Sequence, residues 1–275
     1  MDLQIRPLSP VLGAEIGGLD LSAPLDTETI AAIRSAWLDY LVVVFLGQQM
    51  DEDDQTRFCE YFGDIEPPMV SPSQDDAHPH VMFISNVRDA GLRTALEDGE
   101  MMFHSDRSFH EFPFMATTLY AMELPVRGGN TLFANCYKVY DALSPSLKNL
   151  IRDKRAMHVY DYENNQVQKT RENSPDAPRH DQPIVRTHPE TGRKSLYVSR
   201  LMTNHVMGVA SEESRDLLAT LWDFSERREF IYEHVWSPGD FLMWDNRCTM
   251  HARTHFDSGE RRMLRRIAIC GDRPY

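Results

Sequence analysis

Apolar residues in this chain of 275 residues are gathered into short runs of strand length. VVVF at 42–45 is β-branched and apolar, MATTLYAMEL at 115–124 mixes β-branched and aromatic residues, and RRMLRRIAIC at 261–270 is the last such run. Runs of this kind, bounded by Gly, Pro and Asn, are typical of β-strands. The chain shows no strict alternation of strand and helix and no Gly-rich phosphate loop. The pattern therefore predicts an α+β fold that is mainly antiparallel β, of sandwich or barrel type.

Helices are predicted between the groups of strands, where capping residues precede apolar residues at helical spacing. The predicted helices cover 26–40, 51–62, a segment ending near 151, and 211–227. MMFHSD at 101–106 is predicted to be a further strand. Residues 161–183 are the most polar stretch, which indicates either a disordered surface excursion or a mobile lid over a site. With no internal repeat and no obvious linker, we expect one domain over residues 1–275.

Composition excludes several classes of protein. The net charge of −13 disfavours binding to nucleic acid, because phosphate binding needs a basic surface. No run approaches the ~18 apolar residues of a membrane span, and the N-terminus lacks a signal-peptide pattern. The four cysteines are widely spaced, which favours reduced thiols over a disulfide framework. We therefore expect a cytoplasmic location, with no membrane partner.

The segment MMFHSDRSFH at 101–110 places an imidazole and a carboxylate, His104 and Asp106, among Met and Phe. On an extended strand, residues two apart face the same side, so these two side chains could bind one metal ion. Such ligands suit Fe(II), Mn or Zn, and a second His would complete a facial set that leaves positions open. His-x-Asp alone is weak support, because it occurs by chance in many proteins. Of the eleven histidines, His251 fits best, since it follows the apolar strand of PGDFLMWDNRCTM, although His255 competes with it.

Arginines cluster on the last predicted strand. Alternation places Arg262 and Arg266 on one face with Leu264, and Arg261 and Arg265 on the other. Guanidinium groups on the inward face of an apolar strand need an anion, because a buried unpaired charge is costly. That anion is either a carboxylate of the protein itself or a carboxylate-bearing cosubstrate and substrate.

These residues together resemble a known enzyme family. His104-x-Asp106, His251 within WDNRCTMH, and Arg262 eleven residues later are similar to the Fe(II)/2-oxoglutarate-dependent dioxygenases. More narrowly, they resemble the taurine dioxygenase and 2,4-dichlorophenoxyacetate dioxygenase (TauD/TfdA) family. The resemblance extends over nearly the whole chain, through LGAEIGGLDLS, ELPVRGGNTLFAN, VRTHPETGRKSLYV and RRMLRRIAICGD.

The resemblance implies a double-stranded β-helix (jelly-roll) core with flanking helices, and it implies that the two histidines and Asp106 are the iron ligands. It further implies that Thr131 and Arg262 hold the distal carboxylate of 2-oxoglutarate, and that Arg266 lies near this cosubstrate and reaches an acidic group of the substrate. The expected cofactors are Fe(II), 2-oxoglutarate and O2. Because Asp106 is present, where related halogenases lack the carboxylate, the expected reaction is hydroxylation with release of succinate and CO2.

The substrate is less constrained. Pro68 stands where the taurine enzymes carry a sulfonate-binding His, and Met202 where they carry an aromatic residue. Arg107 replaces a small aliphatic residue, and it is either a surface residue or a cation of the substrate pocket. With Arg266, these residues are the candidate substrate contacts. The apolar body of a substrate is expected among Met102, Phe103, Phe109 and Met202.

We expect the substrate to be a small organic anion, an aryloxyalkanoate or a similar carboxylate. A sulfonate or sulfate-ester dioxygenase is the alternative within the family. A Zn-dependent hydrolase and a non-catalytic jelly-roll binding protein are alternatives from other classes. The hydrolase gives no reason for Arg262 and Thr131, and the binding protein gives none for an intact set of metal ligands. A homo-oligomer, dimeric or tetrameric, is also expected.

Overall fold

The computed structural model describes residues 3–67, 78–87, 102–161 and 174–275. The strands in these ranges are β1 (Gln4–Pro7), β2 (Ala14–Gly17), β3 (Val42–Phe45), β4 (Met82–Ser85), β5 (Ala116–Glu123), β6 (Thr131–Asn135), β7 (Arg155–Val159), β8 (Arg179–Pro183), β9 (Val185–Thr187), β10 (Lys194–Leu196), β11 (Thr203–Val206), β12 (Ile231–His234), β13 (Phe241–Asp245), β14 (Thr249–Arg253) and β15 (Met263–Ile269). The helices are α1 (Thr27–Tyr40), α2 (Glu52–Glu60), α3 (Cys136–Ala142), α4 (Pro145–Ile151) and α5 (Ser211–Ser225), with a 3-10 turn at Arg228–Phe230.

The strands form one large sheet and three smaller ones. The large sheet has seven strands in the order β1-β2-β3-β13-β5-β15-β4, and only its β2–β3 pair is parallel. Two three-stranded sheets have the orders β12-β6-β14 and β11-β7-β8, and β9 pairs with β10 as a hairpin. The prediction of a mainly β fold with flanking helices is confirmed. No helix in the described ranges has the length and apolar character needed to span a membrane.

Helix α1 shows how local sequence determines an element's limits. The Asp26 side chain accepts a hydrogen bond from the Thr29 N–H at 2.7 Å, which caps the first turn. The helix ends because Leu41 is left-handed, with φ 66°, and donates its N–H to the carbonyl of Trp37. Ile33 and Trp37 are fully buried against the large sheet. Burying each such side chain contributes about 1.5–3 kcal/mol, so the apolar face fixes the helix on the sheet.

Strand β13 explains why FLMW is a continuous apolar run. Phe241 and Met243 face the apolar layer beneath α1 and α2, whereas Leu242 and Trp244 face a second layer on the opposite side of the sheet. Phe133 of β6 belongs to this second layer, so the layer lies between the large sheet and the sheet of β12, β6 and β14. A strand buried on both faces needs apolar side chains at every position.

Two predicted elements differ from the observed ones. Residues 101–106 were expected to form a strand, but His104 makes only an isolated bridge, to His251, and the chain then turns. The turn is possible because Arg107 adopts a left-handed backbone conformation, with φ 57°, which interrupts any extended run. Within 161–183, residues 179–183 form β8 against β7 instead of a loop. Residues 162–173 of the same segment lie outside the described residues, so the choice between a lid and a surface excursion stays open there.

The helix predicted to end near residue 151 is two short helices, α3 and α4. Asn135 caps α3 by accepting from the Lys138 N–H, and Ser144 caps α4 by accepting from the Leu147 N–H. Pro145 occupies the first position of α4, where a missing N–H costs nothing. The other predicted helices, α1, α2 and α5, are confirmed to within two or three residues at each end.

Candidate active site

The two histidines of the candidate site are brought together by backbone pairing. The His104 N–H donates to the His251 carbonyl at 3.0 Å, and the His251 N–H donates to the His104 carbonyl at 2.8 Å. This antiparallel bridge places the two imidazole rings side by side, with centroids 4.1 Å apart. His251 belongs to β14, an edge strand of the sheet of β12, β6 and β14, which is called the small sheet below. The site therefore lies at the margin of that sheet.

Asp106 joins these histidines through the turn that follows His104. Nδ1 of His104 lies 2.9 Å from the Met102 carbonyl oxygen, so this nitrogen carries the ring hydrogen and Nε2 keeps its lone pair. Nε2 faces Oδ1 of Asp106 at 3.9 Å. Donor atoms of His104, Asp106 and His251 all lie within 4.8 Å of one another. The structure thus brings together the three predicted ligands, although a turn and not a strand places Asp106.

The second carboxylate oxygen of Asp106 is held by its surroundings. Oδ2 accepts from the Thr117 hydroxyl at 2.5 Å and lies 3.1 Å from Nη2 of Arg266. The Thr117 hydroxyl in turn accepts from the side-chain amide of Asn246 at 2.8 Å, and Asn246 also accepts from the Trp244 indole at 2.9 Å. Fixing Oδ2 orients Oδ1 toward the histidines. Thr117 and Asn246 were not singled out in the sequence, where an isolated TT in β5 and the N of WDN were the only signals.

Electrostatics keep these residues in the forms that bind metals. Burial alone would raise the pKa of Asp106, but Arg266 and, after it, His251 and His104 hold this pKa well below its ordinary range. Burial lowers the pKa of His251 to about 3, and His104 adds to the effect. A carboxylate and a neutral imidazole are the forms in which these side chains coordinate a metal.

The surroundings of His251 are apolar. The Trp244 ring lies 4.7 Å from the His251 ring and the Phe133 ring 6.3 Å away, centroid to centroid, and both aromatic residues are fully buried. Nδ1 of His251 is buried without a hydrogen-bond partner in the described parts of the chain. Two adjacent imidazoles and a carboxylate, with donor atoms within 4.8 Å of one another, form the donor set of a 2-His-1-carboxylate iron site, so these residues fit Fe(II).

Arg262 is a deeply buried cation, 4% exposed. Its Nε and Nη2 donate to the Gly129 carbonyl at 3.2 and 3.0 Å, and its guanidinium carbon lies 5.8 Å from the Phe256 ring centroid. Among the described residues, no carboxylate lies within ion-pair distance of it. Burial and, after it, the like charge of Arg253 lower the pKa of Arg262 to about 9. Gly129 is required here, because it has φ +66° and a Cβ would lie 3.0 Å from Nε of Arg262.

Thr131 lies two residues beyond Gly129, at the start of β6. Its hydroxyl is buried and accepts a hydrogen bond from the Trp236 indole N–H at 3.0 Å. Because that bond uses only one lone pair, the hydroxyl can still donate its own hydrogen to an anion. Arg262 is thus hydrogen-bonded to a residue that lies two positions before Thr131 in the chain.

The basic residues around the turn have different partners. Arg265, predicted to face away from Arg262, is buried beneath α2, where Nε donates to Gln55 Oε1 at 2.7 Å and Nη1 lies 3.1 Å from Glu52. Arg107 directs Nη1 to Glu66 at 2.8 Å, while its Nε is buried without a partner among the described residues. The Arg107 and Arg266 guanidinium carbons lie 4.9 and 5.5 Å from the centroid of one ring, that of Phe114.

Three of the four apolar residues expected to contact the substrate lie close together. Met202, Phe109 and Met102 belong to one cluster, in which Phe109 also contacts Tyr160 with ring centroids 4.8 Å apart. Phe103 belongs to a different cluster, beneath the small sheet, because the bridge at His104 turns adjacent side chains to opposite sides. Phe103 therefore packs apart from the other three residues, and its expected contact with the substrate stays a prediction. Pro68 lies outside the described residues.

The WDNR motif forms a buried charge network next to the site. Arg247 binds Asp245 through Nε and Nη2 at 2.9 and 2.7 Å and donates to Glu190 at 2.8 Å. His188 lies 3.0 Å from Asp245, and its other nitrogen accepts from backbone N–H groups of Glu190 and Thr191. His188, Asp245 and Cys248 are also close enough to hold a metal. Arg247 already neutralises Asp245, and burial keeps the pKa of the Cys248 thiol far above its usual value, so the thiolate that a metal would need does not form. We therefore interpret this group as a structural network.

Comparisons with known proteins show which family the chain is similar to. The family model "Taurine catabolism dioxygenase TauD, TfdA family" matches residues 4–268. The chain is 32% identical, over 98% of its length and 95% of the relative's, to (S)-phenoxypropionate/alpha-ketoglutarate-dioxygenase of Sphingobium herbicidovorans. It is 31% identical, over 99% of both chains, to alpha-ketoglutarate-dependent 2,4-dichlorophenoxyacetate dioxygenase of Cupriavidus pinatubonensis. The crystal structure of AAD-2 in complex with Mn(II) and N-oxalylglycine matches with a TM-score of 0.86 and 31% identity, over 100% of this chain and 99% of that one.

Proposed function

This chain belongs to the TauD/TfdA family of alpha-ketoglutarate-dependent dioxygenases, and we propose that it hydroxylates a small organic anion, an aryloxyalkanoate or a similar carboxylate. Enzymes of this family use Fe(II), 2-oxoglutarate and O2. The observation that carries the proposal is the combination of a buried His-Asp-His group with two buried arginines, Arg266 in β15 and Arg262 directly before it.

His104, Asp106 and His251 are the proposed iron ligands. Their support is the spacing of the donor atoms, the neutral state of His251 and the charged state of Asp106. Fe(II), when bound, supplies the activation of O2 that is coupled to conversion of 2-oxoglutarate into succinate and CO2 and to hydroxylation of the substrate. The protein's part is to hold the three donors in one orientation, which Thr117 and Arg266 do through Oδ2 of Asp106.

Arg262 and Thr131 are the proposed site for the distal carboxylate of 2-oxoglutarate. Among the described residues this buried guanidinium group hydrogen-bonds only a neutral carbonyl oxygen, so it gains much from a carboxylate, because a charged partner forms shorter and stronger hydrogen bonds than a neutral one. The unused hydroxyl hydrogen of Thr131 would provide a further donor. A Zn-dependent hydrolase would have no use for this arrangement, and a metal-free binding protein would have no use for the three metal-binding side chains.

For the substrate, Arg266 is the proposed anion contact, with Arg107, Met202 and Pro68 as further proposed contacts. Arg266 is supported by its position against the ligand Asp106, which brings a cation to the edge of the metal site. Arg107 is supported by its buried Nε, which has no partner among the described residues, although Glu66 already neutralises part of its charge. Met202 would contribute an apolar wall together with Phe109.

We also propose that the large sheet and the sheet of β12, β6 and β14 face each other as a double-stranded β-helix within a single domain. Support comes from the apolar layer that the two sheets share, and from the bridge between His104 and His251 at its margin.

The function is tested by succinate release from 2-oxoglutarate in the presence of Fe(II), O2 and candidate acids. Aryloxyacetates, aryloxypropionates, alkyl sulfonates and alkyl sulfate esters of matched size form the panel, and each neutral amide or alcohol analogue is its control. We expect substrate-dependent succinate release with an aryloxyalkanoate and not with its neutral analogue. Faster turnover of a sulfonate or sulfate ester would reassign the substrate class. Turnover that needs neither O2 nor 2-oxoglutarate would refute the dioxygenase proposal and favour a hydrolase.

A further inference from the structure

A short turn holds a tryptophan against the hydroxyl that is the proposed partner of 2-oxoglutarate. The turn spans 237–240 (SPGD), joins β12 to β13, and directly follows Trp236. The Asp240 N–H donates to the Ser237 carbonyl at 3.0 Å, and Oδ2 of Asp240 accepts from the Ser237 N–H at 2.8 Å. Two hydrogen bonds between its ends therefore fix the turn.

His234 connects this turn to the ring of Trp236. Its Nε2 lies 3.2 Å from Oδ2 of Asp240, and its Nδ1 lies 3.2 Å from the Tyr232 hydroxyl. The imidazole meets the Trp236 ring edge to face, with centroids 4.8 Å apart and planes inclined by 88°. His234 and Asp240 are both buried. The imidazole thus has two hydrogen-bond partners that keep it in place beside the indole.

The indole of Trp236 bonds the hydroxyl of Thr131. Its N–H donates to Oγ1 at 3.0 Å, and both residues are buried. Thr131 pairs with His234 across β6 and β12, so the strand that leads to Trp236 runs beside Thr131. An indole N–H can only donate, so it occupies a lone pair of Oγ1 and leaves the hydroxyl hydrogen for a different acceptor.

The direction of that hydrogen matters for binding an anion. A hydroxyl can turn either a lone pair or its hydrogen toward a ligand, and a carboxylate accepts only the hydrogen. Without Trp236, the Thr131 side chain could take other staggered positions, and restricting them would reduce the free energy gained on binding. Arg262, the other proposed contact of the carboxylate, is already held by the Gly129 carbonyl.

We propose that Trp236 is a positioning residue of the cosubstrate site, and that its indole N–H directs the Thr131 hydroxyl hydrogen to the distal carboxylate of 2-oxoglutarate. Trp236 acts through Thr131 and does not itself contact the cosubstrate. This inference rests on the proposed function, because it requires that Thr131 bind that carboxylate. Trp236 also packs in the apolar layer between the sheets, so the test separates its hydrogen bond from its packing.

A double-mutant cycle makes this separation. It compares the wild type with W236F, T131V and the double variant that carries both changes. W236F removes the indole N–H together with part of the apolar ring system, and T131V removes the hydroxyl. The affinity for 2-oxoglutarate is measured by anaerobic calorimetric titration into the Fe(II)-loaded full chain, and the melting temperature of each variant is recorded.

T131V should weaken 2-oxoglutarate binding by roughly 10–100-fold, because a hydrogen bond to a charged group is lost. W236F should weaken it by about 3–10-fold, because Thr131 keeps its donor but loses the partner that holds it in one of three staggered positions. In the T131V background, W236F should change the affinity by less than about twofold, which is the usual accuracy of such cycles.

W37F is the matched control. Trp37 in α1 is 0% exposed, and its indole nitrogen has no hydrogen-bond partner in the described parts of the chain. W37F should lower the melting temperature, as the loss of buried ring atoms does, but leave the affinity for 2-oxoglutarate within about twofold of the wild type.

The outcomes distinguish this inference from the proposed function. If T131V weakens binding while W236F binds like the wild type, Trp236 is not a positioning residue. The same conclusion follows if W236F weakens binding equally in both Thr131 backgrounds, or if W37F weakens it as much as W236F. If the wild type binds no 2-oxoglutarate, or T131V binds it as tightly as the wild type, the proposed cosubstrate site fails, and this inference fails with it.

A crystal structure of the wild type with Fe(II) and 2-oxoglutarate gives a second measurement, which does not depend on how well W236F folds. We expect Oγ1 of Thr131 within hydrogen-bond distance of both the Trp236 indole nitrogen and a carboxylate oxygen of the cosubstrate. A carboxylate that bonds the indole directly, or a Thr131 hydroxyl turned away from the carboxylate, would overturn the proposal.

Discussion

The hydrogen bond from Thr117 to Asp106 offers a sharp test of how the chain prepares its metal site. T117V replaces the hydroxyl by a methyl group of nearly the same size, so it removes the 2.5 Å bond to Oδ2 and leaves that buried oxygen one donor short. Arg266 remains on the same oxygen, and the carboxylate stays charged. What the variant loses is the orientation of the carboxylate and one charge-assisted bond.

The magnitude follows from that single bond. A hydrogen bond to a buried charged group contributes about 1.5–3 kcal/mol. Since about 1.4 kcal/mol corresponds to a tenfold change in affinity, T117V should weaken Fe(II) binding by roughly 10–100-fold. The amide of Asn246 also loses its acceptor, which places the expected effect toward the upper part of that range. Anaerobic calorimetric titration of Fe(II) measures the affinity directly.

Thr118, the next residue of β5, provides the matched control. Its hydroxyl faces the opposite side of the sheet, where it donates to the Ile267 carbonyl at 3.1 Å and accepts from Gln55 at 3.0 Å. T118V should therefore destabilise the fold by an amount similar to T117V but leave Fe(II) affinity unchanged. The reasoning is refuted if T117V binds Fe(II) as tightly as the wild type, or if T118V loses as much affinity as T117V.

Three further predictions concern charge. R262Q should weaken 2-oxoglutarate binding at least about 30-fold, because breaking a buried charge pair costs about 2–5 kcal/mol. The control R261Q changes an exposed residue paired with Glu123 and should bind 2-oxoglutarate normally. Equal affinities of the two variants in a calorimetric titration would remove Arg262 from the cosubstrate site. D245N removes the charged partner of the buried Arg247, so urea denaturation should show a free energy of unfolding lower by about 3–5 kcal/mol. The control E123Q, at an exposed ion pair, should lower it by less than about 1 kcal/mol. A similarly small loss for D245N would show that the network contributes little to stability. A hydrogen bond from Arg107 lowers the pKa of Glu66. The free energy of unfolding of the wild type should therefore exceed that of E66Q at neutral pH, and the difference should vanish as pH falls through that lowered pKa. A difference that persists in acid would mean that the ion pair is not its cause.

Local sequence predicted the elements well because their signals are local. Asp26 before an apolar helical stripe, and β-branched runs such as 42–45, need no knowledge of the rest of the chain. The arginine pattern on β15 was also informative, since alternation separates Arg262 and Arg266 from Arg265, and the structure buries all three. Their partners were not predictable from the pattern, because Gly129 and Gln55 come from distant segments.

The candidate site shows the same division. His104-x-Asp106 suggested a metal pair through strand geometry, yet the actual geometry is a bridge followed by a turn at Arg107. The left-handed conformation of Arg107 could not be predicted from the residues next to it in the sequence. The pairing of His104 with His251 joins positions far apart in sequence, so only the assembled sheets reveal it. Thr117 and Asn246 could not be found from the sequence, because their role depends on where Oδ2 of Asp106 points.

The central claim is that His104, Asp106 and His251 hold the iron while Arg262 holds 2-oxoglutarate. The most direct measurement is anomalous diffraction at the iron edge from a crystal soaked anaerobically with Fe(II) and 2-oxoglutarate. We predict one peak bounded by these three side chains, with cosubstrate density that ends at the Arg262 guanidinium. A peak at His188, Asp245 and Cys248, or an iron peak with no cosubstrate density near Arg262, would contradict the claim.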